Sequence, residues 1–407
     1  MYRRSPPRAV PVRQALTFLG PAFVVAVAYV DPGNLATNAT AGARYGFGLL
    51  WVIVVANVVA MLVQYLSAKL GIATGRSLAE LCRESFSRPM TLFLWVQAEF
   101  VVVMTDLAEV VGGSVALQLL FGVPLLGGAL ITVGGMSVIL LAQQRGRRQF
   151  EAVIVALLGV VLVAFVYQTV RAGVDPVEAA GGLVPSFAGP DSVVLAVGIV
   201  GATVMPHAVY LHSALTQGLG PTASSGRRRF AVRSTLSDVL IALTVAGAIN
   251  IAILLGATSL RGRVAQTLTQ VHDGLARTSG STASLTFAIA LLASGLAASS
   301  VGVYSGQVVM QGFLRRRVPI WVRRAVSIIP AVVVLAVGVE PTSALVASQV
   351  ALSFGLPFAL FPLLRFTADR GLMGELADRR ATRVCALAAA MFVVALNGYL
   401  VVSQLFG

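Results

Sequence analysis

Charge is what this sequence has least of. In 407 residues, Asp and Glu supply 16, histidine three and cysteine two, and all charged residues together reach 11%. Two cysteines, Cys82 and Cys385, cannot form a disulfide framework. Three histidines, with no HExxH spacing and no serine elbow, leave a hydrolase without a nucleophile-and-base set or a closed metal-ligand set. Aromatic residues are 7%, and none interleave with the basic runs Arg227–Arg229 and Arg315–Arg317, so the net charge of +14 does not point to nucleic acid.

What is present is apolar. Hydrophobic residues are 57% and the mean hydropathy is +0.87, more apolar surface than a soluble core could bury. Runs near the ~20 residues that cross a bilayer recur at about 12–30, 47–72, 91–120, 125–143, 151–170, 192–217, 234–257, 283–312, 321–339, 343–364 and 384–405. The expectation is an all-α polytopic membrane protein of eleven transmembrane helices, called spans 1 to 11 here, in a single domain over 1–407 with the lipid bilayer as its environment.

The basic residues set the orientation. With the amino terminus inside, 25 of the 30 Lys and Arg fall on inward segments, leaving Arg44, Arg171, Arg261, Arg263 and Arg277 outside. This is the positive-inside pattern, and it puts the amino terminus in the cytosol and the carboxyl terminus outside. Both cysteines then lie near the inner face, where thiols stay reduced. Arg3, Arg4 and Arg8 before an apolar run ending at Ala26-Val27-Ala28 superficially resemble a cleavable secretory signal, but Pro6, Pro7 and Pro11 and the buried aspartate that follows argue for an uncleaved start.

Two spans carry helix breakers at equivalent places. Pro32-Gly33 should break span 1 at its middle, and Pro206 should break span 6 within Gly201-Ala202-Thr203-Val204-Met205-Pro206-His207. Span 1 opens a set of five (12–170) and span 6 opens the next (192–364), with span 11 (384–405) additional. An odd number per set inverts the second relative to the first. Inverted five-helix repeats with unwound first helices are the plan of one class of secondary transporter, with substrate at the breaks.

The groups at the breaks read as a cation site. They are the Asp31 carboxylate, the Asn34 amide oxygen, the Ala28 and Ala202 carbonyls and the Met205 thioether. An aspartate in hydrocarbon is costly enough to imply a partner or a task. Hard ions prefer oxygen-only shells, whereas Mn²⁺, Fe²⁺ and their neighbours accept a softer ligand. A carboxylate substrate would be repelled by Asp31.

Asp31-Pro32-Gly33-Asn34 and Met205-Pro206-His207 resemble the paired signatures of the Nramp family, proton-coupled divalent metal transporters of the LeuT-like fold. Thr105-Asp106-Leu107-Ala108-Glu109, Gly306-Gln307-Val308-Val309-Met310 and Ser348-Gln349-Val350-Ala351-Leu352-Ser353-Phe354-Gly355 resemble further family segments, so the likeness covers essentially the whole chain. It implies a metal held by Asp31, Asn34, Met205 and the Ala202 carbonyl, with Ala28 and Gln349 joining in particular conformations. Ala208 stands where many members carry Asn, which bears on fine selectivity. Eleven spans are usual for bacterial members, so the chain is expected to be complete and to reside in a bacterial inner membrane.

Span 3 carries Glu99, Asp106 and Glu109 at spacings of seven and three, on one helix face. Buried acids of this kind suit a proton relay, and His207 and His212 lie beside the second break. The resemblance implies that these acids and His207 move protons, with Asp31 shared between metal and proton, and that Arg323 and Arg324 pair with the acid file; alone, the two arginines read as snorkelling anchors. Gly42, Gly46 and Gly48 are expected to bound the first outer loop, Gly295-Leu296-Ala297-Ala298 to permit close helix approach, and Asn57 and Asn250 to bond between helices. His272 receives no role. Substrates would be Mn²⁺ and Fe²⁺, possible others Co²⁺, Cd²⁺ and Zn²⁺, with H⁺ as co-substrate and no cofactor or obligatory protein partner. The alternatives are a sodium-coupled amino-acid symporter of the same fold and a magnesium-transporting relative; a channel would lack the paired breaks.

Overall fold

A computed structural model describes residues 20–406 apart from Gly146, 221–223, 262–265 and Arg317. The start of span 1 and the signal-like residues before Gly20 lie outside that description. All the regular elements described are helical. In chain order they are α1 (Pro21–Ala26), α2 (Pro32–Tyr45), α3 (Leu50–Thr74), α4 (Leu78–Ser85), α5 (Arg88–Phe121), α6 (Leu125–Arg145) and α7 (Arg147–Ala172). After the short α8 (Pro176–Gly181) come α9 (Pro190–Val204), α10 (Pro206–Leu215), α11 (Ser225–Ala257), α12 (Leu268–Thr278) and α13 (Ser281–Leu314). The chain ends with α14 (Ile320–Ala336), α15 (Pro341–Ala368), α16 (Arg370–Met373) and α17 (Arg380–Phe406).

Seven helical segments among the described residues are long and apolar enough to cross a membrane: Leu50–Thr74, Arg88–Phe121, Pro190–Leu219, Ser225–Leu260, Ser281–Leu314, Pro341–Ala368 and Arg380–Leu405. Pro21–Val30, Leu125–Ile139 and Ala156–Ala172 are apolar but shorter. The protein is therefore a multi-pass membrane protein.

Span 1 is longer than expected. A 3₁₀ turn, Val27–Val30, follows α1, and Asp31 is extended at φ −81°, ψ 169° before α2 resumes and runs to Tyr45. Hydropathy misses this second half because Asn34, Thr37, Asn38 and Thr40 are polar, yet all four are buried. Gly42 accordingly sits inside α2 and not at a loop edge: a Cβ there would lie 2.2 Å from Leu254 O of α11. Gly46, at φ +58°, is the residue that ends the helix. Each proline begins the second half-helix, where its missing amide costs no intrahelical bond.

The broken helices are surrounded by intact ones. α11 packs on α1, α2 and α3, α9 lies between α3 and α15, and α5 packs on α13. Asn250 of α11 fastens the first break from the side, because its Nδ2 donates to Tyr29 O (2.9 Å) and its Oδ1 accepts from Asn38 Nδ2 (3.0 Å). Ser294 of α13 donates to Val30 O at 2.6 Å. Two carbonyls released by the unwinding thus find donors on neighbouring helices, as a backbone in hydrocarbon requires. Asn57 packs against Gly247, and its Oδ1 is buried with no hydrogen bond.

Candidate metal site between two broken helices

The second break centres on Met205, whose φ of +20° and ψ of 107° are strained for a residue with a side chain. It separates α9 from α10 and is fully buried. The two breaks meet through Asn34, whose Nδ2 donates both to Asp31 Oδ1 (2.9 Å) and to Ala202 O (2.8 Å). Thr203 Oγ1 lies 3.5 Å from Asn34 Oδ1. The Asn34 amide N–H also donates to Asp31 Oδ1 at 2.8 Å, so Asp31 caps α2 with one oxygen.

Its other oxygen has a different status. Asp31 Oδ2 is buried and accepts no hydrogen bond, and the same holds for Gln349 Oε1 of α15. Gln349 lies directly on the first break, since a Cβ at Gly33 would come 1.9 Å from Gln349 Nε2. It also touches the second, where a Cβ at Gly201 would come 2.0 Å from Gln349 O. The structure therefore brings Asp31, Asn34, Ala202 and Gln349 together, with Ala28 and Met205 adjoining in the chain. Asp31, Asn34, Ala202, Met205 and Gln349 are each no more than 1% exposed. Among the described residues no three His, Cys, Asp or Glu gather as a metal cluster, so any cation here meets one carboxylate and otherwise neutral ligands.

The proposed proton residues fall into three groups. Asp106 and Glu109 face α13 together: a Cβ at Gly302 would lie 2.9 Å from Glu109 Oε1 and 3.2 Å from Asp106 Oδ1. His207, the second residue of α10, reaches α5, its Nδ1 lying 3.2 Å from Thr105 Oγ1 while Nε2 has no partner. Glu99 forms a two-pronged pair with Arg323, at 3.1 and 2.7 Å, and Arg323 Nη1 also donates to Gly306 O. The Arg324 side chain lies outside the described residues. His212 belongs elsewhere: its Nδ1 is 2.9 Å from Gln64 Oε1, and Gln64 Nε2 donates to Tyr29 Oη, linking α10 through α3 to the first break. His272 is 3.2 Å from its neighbour Asp273.

Sequence reasoning passed over Asp238. This acid of α11 is fully buried and its Oδ2 accepts from Ala22 N at 3.0 Å, capping α1. A lone carboxylate within the apolar run 234–257 was the available signal.

The model of the family described as "Natural resistance-associated macrophage protein-like" matches residues 22–403. The chain is 48% identical over 394 residues to the divalent metal cation transporter MntH of Bacillus subtilis, covering 96% of this chain and 93% of that protein. It is likewise 48% identical over 400 residues to the MntH of Deinococcus radiodurans, at 97% and 92% coverage. Among solved structures, the Eremococcus coleocola manganese transporter superposes with a TM-score of 0.87 at 32% identity, covering 98% of this chain and 89% of the other. Mhp1, a nucleobase-cation-symport-1 family transporter, aligns with a TM-score of 0.60 at 14% identity over 95% of this chain and 91% of that one, a likeness of fold alone.

Proposed function

Because this chain belongs to the Nramp family, we propose that it imports divalent transition metals, Mn²⁺ and Fe²⁺ foremost, together with protons and by alternating access. The observation that carries this reading is the pair of buried acceptors without a donor, Asp31 Oδ2 and Gln349 Oε1, at the meeting point of two broken helices. Buried oxygens without a donor cost about 1–3 kcal/mol each. A desolvated cation repays that cost, and the buried charge of Asp31 favours it over a neutral donor.

In this reading Asp31 Oδ2, the Asn34 oxygen, the Ala202 carbonyl and the Met205 sulfur hold the metal, and Gln349 Oε1 and the Ala28 carbonyl join as the breaks shift. The single negative charge attracts a cation without trapping it, as a transported ion requires. The thioether disfavours Ca²⁺ and Mg²⁺. Protons pass along Asp106 and Glu109 with His207 beside them, and the Glu99–Arg323 pair holds that file to α13. The broken helices of the two inverted repeats, 12–170 and 192–364, move against the intact helices around the fixed site. The amino terminus is cytoplasmic, the carboxyl terminus external and the membrane a bacterial inner membrane.

The test is Mn²⁺ uptake into proteoliposomes carrying an internal pH dye, with and without excess external Ca²⁺. Entry of Mn²⁺ with acidification of the lumen and no competition by Ca²⁺ is the expected result. Uptake of an amino acid in place of the metal would leave the fold intact and defeat the site.

A further inference from the structure

At the start of α5 a cavity of about 470 Å³ opens between α4, α5 and the end of α13, and three arginines line it, Arg83, Arg88 and Arg316. Two of its donors are unused: Arg83 Nε and Thr91 Oγ1 are both buried with no hydrogen-bond partner. Thr91 is only 6% exposed. The rest of the Arg83 guanidinium is engaged, since Nη1 donates to Gly312 O and Nη2 lies 3.6 Å from Glu84 Oε1. Arg83 and Thr91 both line the cavity, so the two unpaired donors lie within its wall.

The first turn of α5 adds to this. Its N-cap, Ser87, makes no side-chain capping bond, so the first amides of a 34-residue helix have no capping oxygen. The positive end of the helix dipole lies there as well. Cationic and neutral donors gathered around a cavity whose lining residues include no carboxylate suit a phosphate and repel a metal ion.

One wall decides the source of that phosphate. Phe86, Leu92 and Phe313 make it apolar, and Leu92 (41% exposed) and its neighbour Phe93 (50%) look outward toward hydrocarbon. A free phosphate has no use for such a wall. We propose that this cavity binds the headgroup phosphate of an anionic phospholipid of the adjoining leaflet, with Thr91, Arg83 Nε, Arg88 and Arg316 on the phosphate. Phe86, Leu92 and Phe313 then meet the glycerol and the first acyl carbons. The bound lipid ties α5 to α4 and α13, two helices that Arg83 already joins through Gly312. This site needs only the membrane embedding of the protein and is separate from the metal reading.

The experiment uses the purified full chain in detergent, with phosphatidylglycerol, phosphatidylcholine or inorganic phosphate added, followed by native mass spectrometry and thermal unfolding. Phosphatidylglycerol is expected to form a retained adduct and to raise Tm, and the other two to do neither. Each basic contact with an anionic headgroup is worth about 1 kcal/mol, so Arg88→Gln/Arg316→Gln together should weaken the apparent affinity by about thirtyfold. Thr91→Val, which removes only the hydroxyl, should weaken it with the fold intact. Arg227→Gln/Arg380→Gln, exposed arginines elsewhere, should change nothing. Equal phosphatidylglycerol affinity in the wild type, the Arg88/Arg316 variant and Thr91→Val overturns the site, and so does an equal loss in the Arg227/Arg380 control. A Tm rise with inorganic phosphate as large as with the lipid overturns the lipid as its source.

Discussion

Asp31 carries two tasks with its two oxygens, and the division between them predicts how substitutions behave. Oδ1 caps α2 and braces Asn34, whereas Oδ2 has no protein donor. Asp31→Asn keeps the cap and loses the charge, and Asp31→Ala loses both. Metal uptake by either purified variant in proteoliposomes should fall to the level of empty vesicles, while Asp31→Asn should retain the wild-type Tm more nearly than Asp31→Ala, an N-cap being worth about 1 kcal/mol. Wild-type uptake by Asp31→Asn would remove the carboxylate from the site. Met205 answers a different question, because in the proposed site its sulfur would supply selectivity and no charge. Met205→Ala should therefore still take up Mn²⁺ while its preference for Mn²⁺ over Ca²⁺ shrinks by roughly tenfold, about 1.4 kcal/mol, read from Ca²⁺ competition against Mn²⁺ uptake. On α5, Asp106→Ala/Glu109→Ala should uncouple the lumenal pH change from metal entry; unchanged acidification would dispose of the relay.

Helices that carry the site approach one another so closely that side chains are excluded between them. A Cβ at Gly201 of α9 would meet Gln349 O at 2.0 Å and Ser353 N at 2.7 Å, both backbone atoms of α15 that cannot swing aside. Gly159 of α7 has nothing within 4 Å of the equivalent position. Gly201→Ala should consequently lower Tm and uptake together, by an overpacking cost of about 1–3 kcal/mol, and Gly159→Ala should be neutral or slightly stabilising by up to about 1 kcal/mol. Thermal unfolding of the two variants side by side checks this, and an unchanged Gly201→Ala would mean that the α9–α15 approach is looser than described. The same elements mark what could be read beforehand. Both breaks were legible, because a proline beside polar residues is costly in an apolar span and has few explanations. α2 was not, because PGNLATNATAGARY has too little hydrophobicity to register as a span; its polar side chains are buried by partners such as Asn250, 212 residues away from Asn38. Pairings across such distances leave no trace in local composition; Asp238 did stand out as a lone carboxylate in an apolar run, but its partner at the start of α1, 216 residues away, did not.

In the whole molecule, the buried site residues lie between two cavities. One of about 420 Å³, lined by Thr40, Arg44, Asp191 and Val346 among others, lies at the end of α2 and the start of α9. Another of about 320 Å³, lined by Glu80, Gln217, Gln307 and Gln311 among others, lies beyond α10, at the opposite end of the broken helix. Under the proposed alternating access, one of them would reach the metal while the other is shut. On the second side, Lys69 of α3 pairs with Asp378 in the connection before α17, and the two are only 5% and 9% exposed. Arg229 of α11 pairs with Glu375 of the same connection at 2.6 Å, but in the open. Breaking a buried pair by removing one partner costs about 3–5 kcal/mol, whereas an exposed pair is worth about 0–1 kcal/mol, so the Lys69–Asp378 pair is the fastening that matters. Asp378→Asn should then favour opening on that side. Thiol labelling reads the outcome once Cys82, buried so that its thiol pKa is pushed up, and the exposed Cys385 are replaced. In that background Gln307→Cys should be modified faster with Asp378→Asn than without it, and Val346→Cys more slowly, while Glu375→Gln should move neither rate appreciably. If both rates ignore Asp378→Asn, the pair holds the fold together and has no part in choosing which side is open.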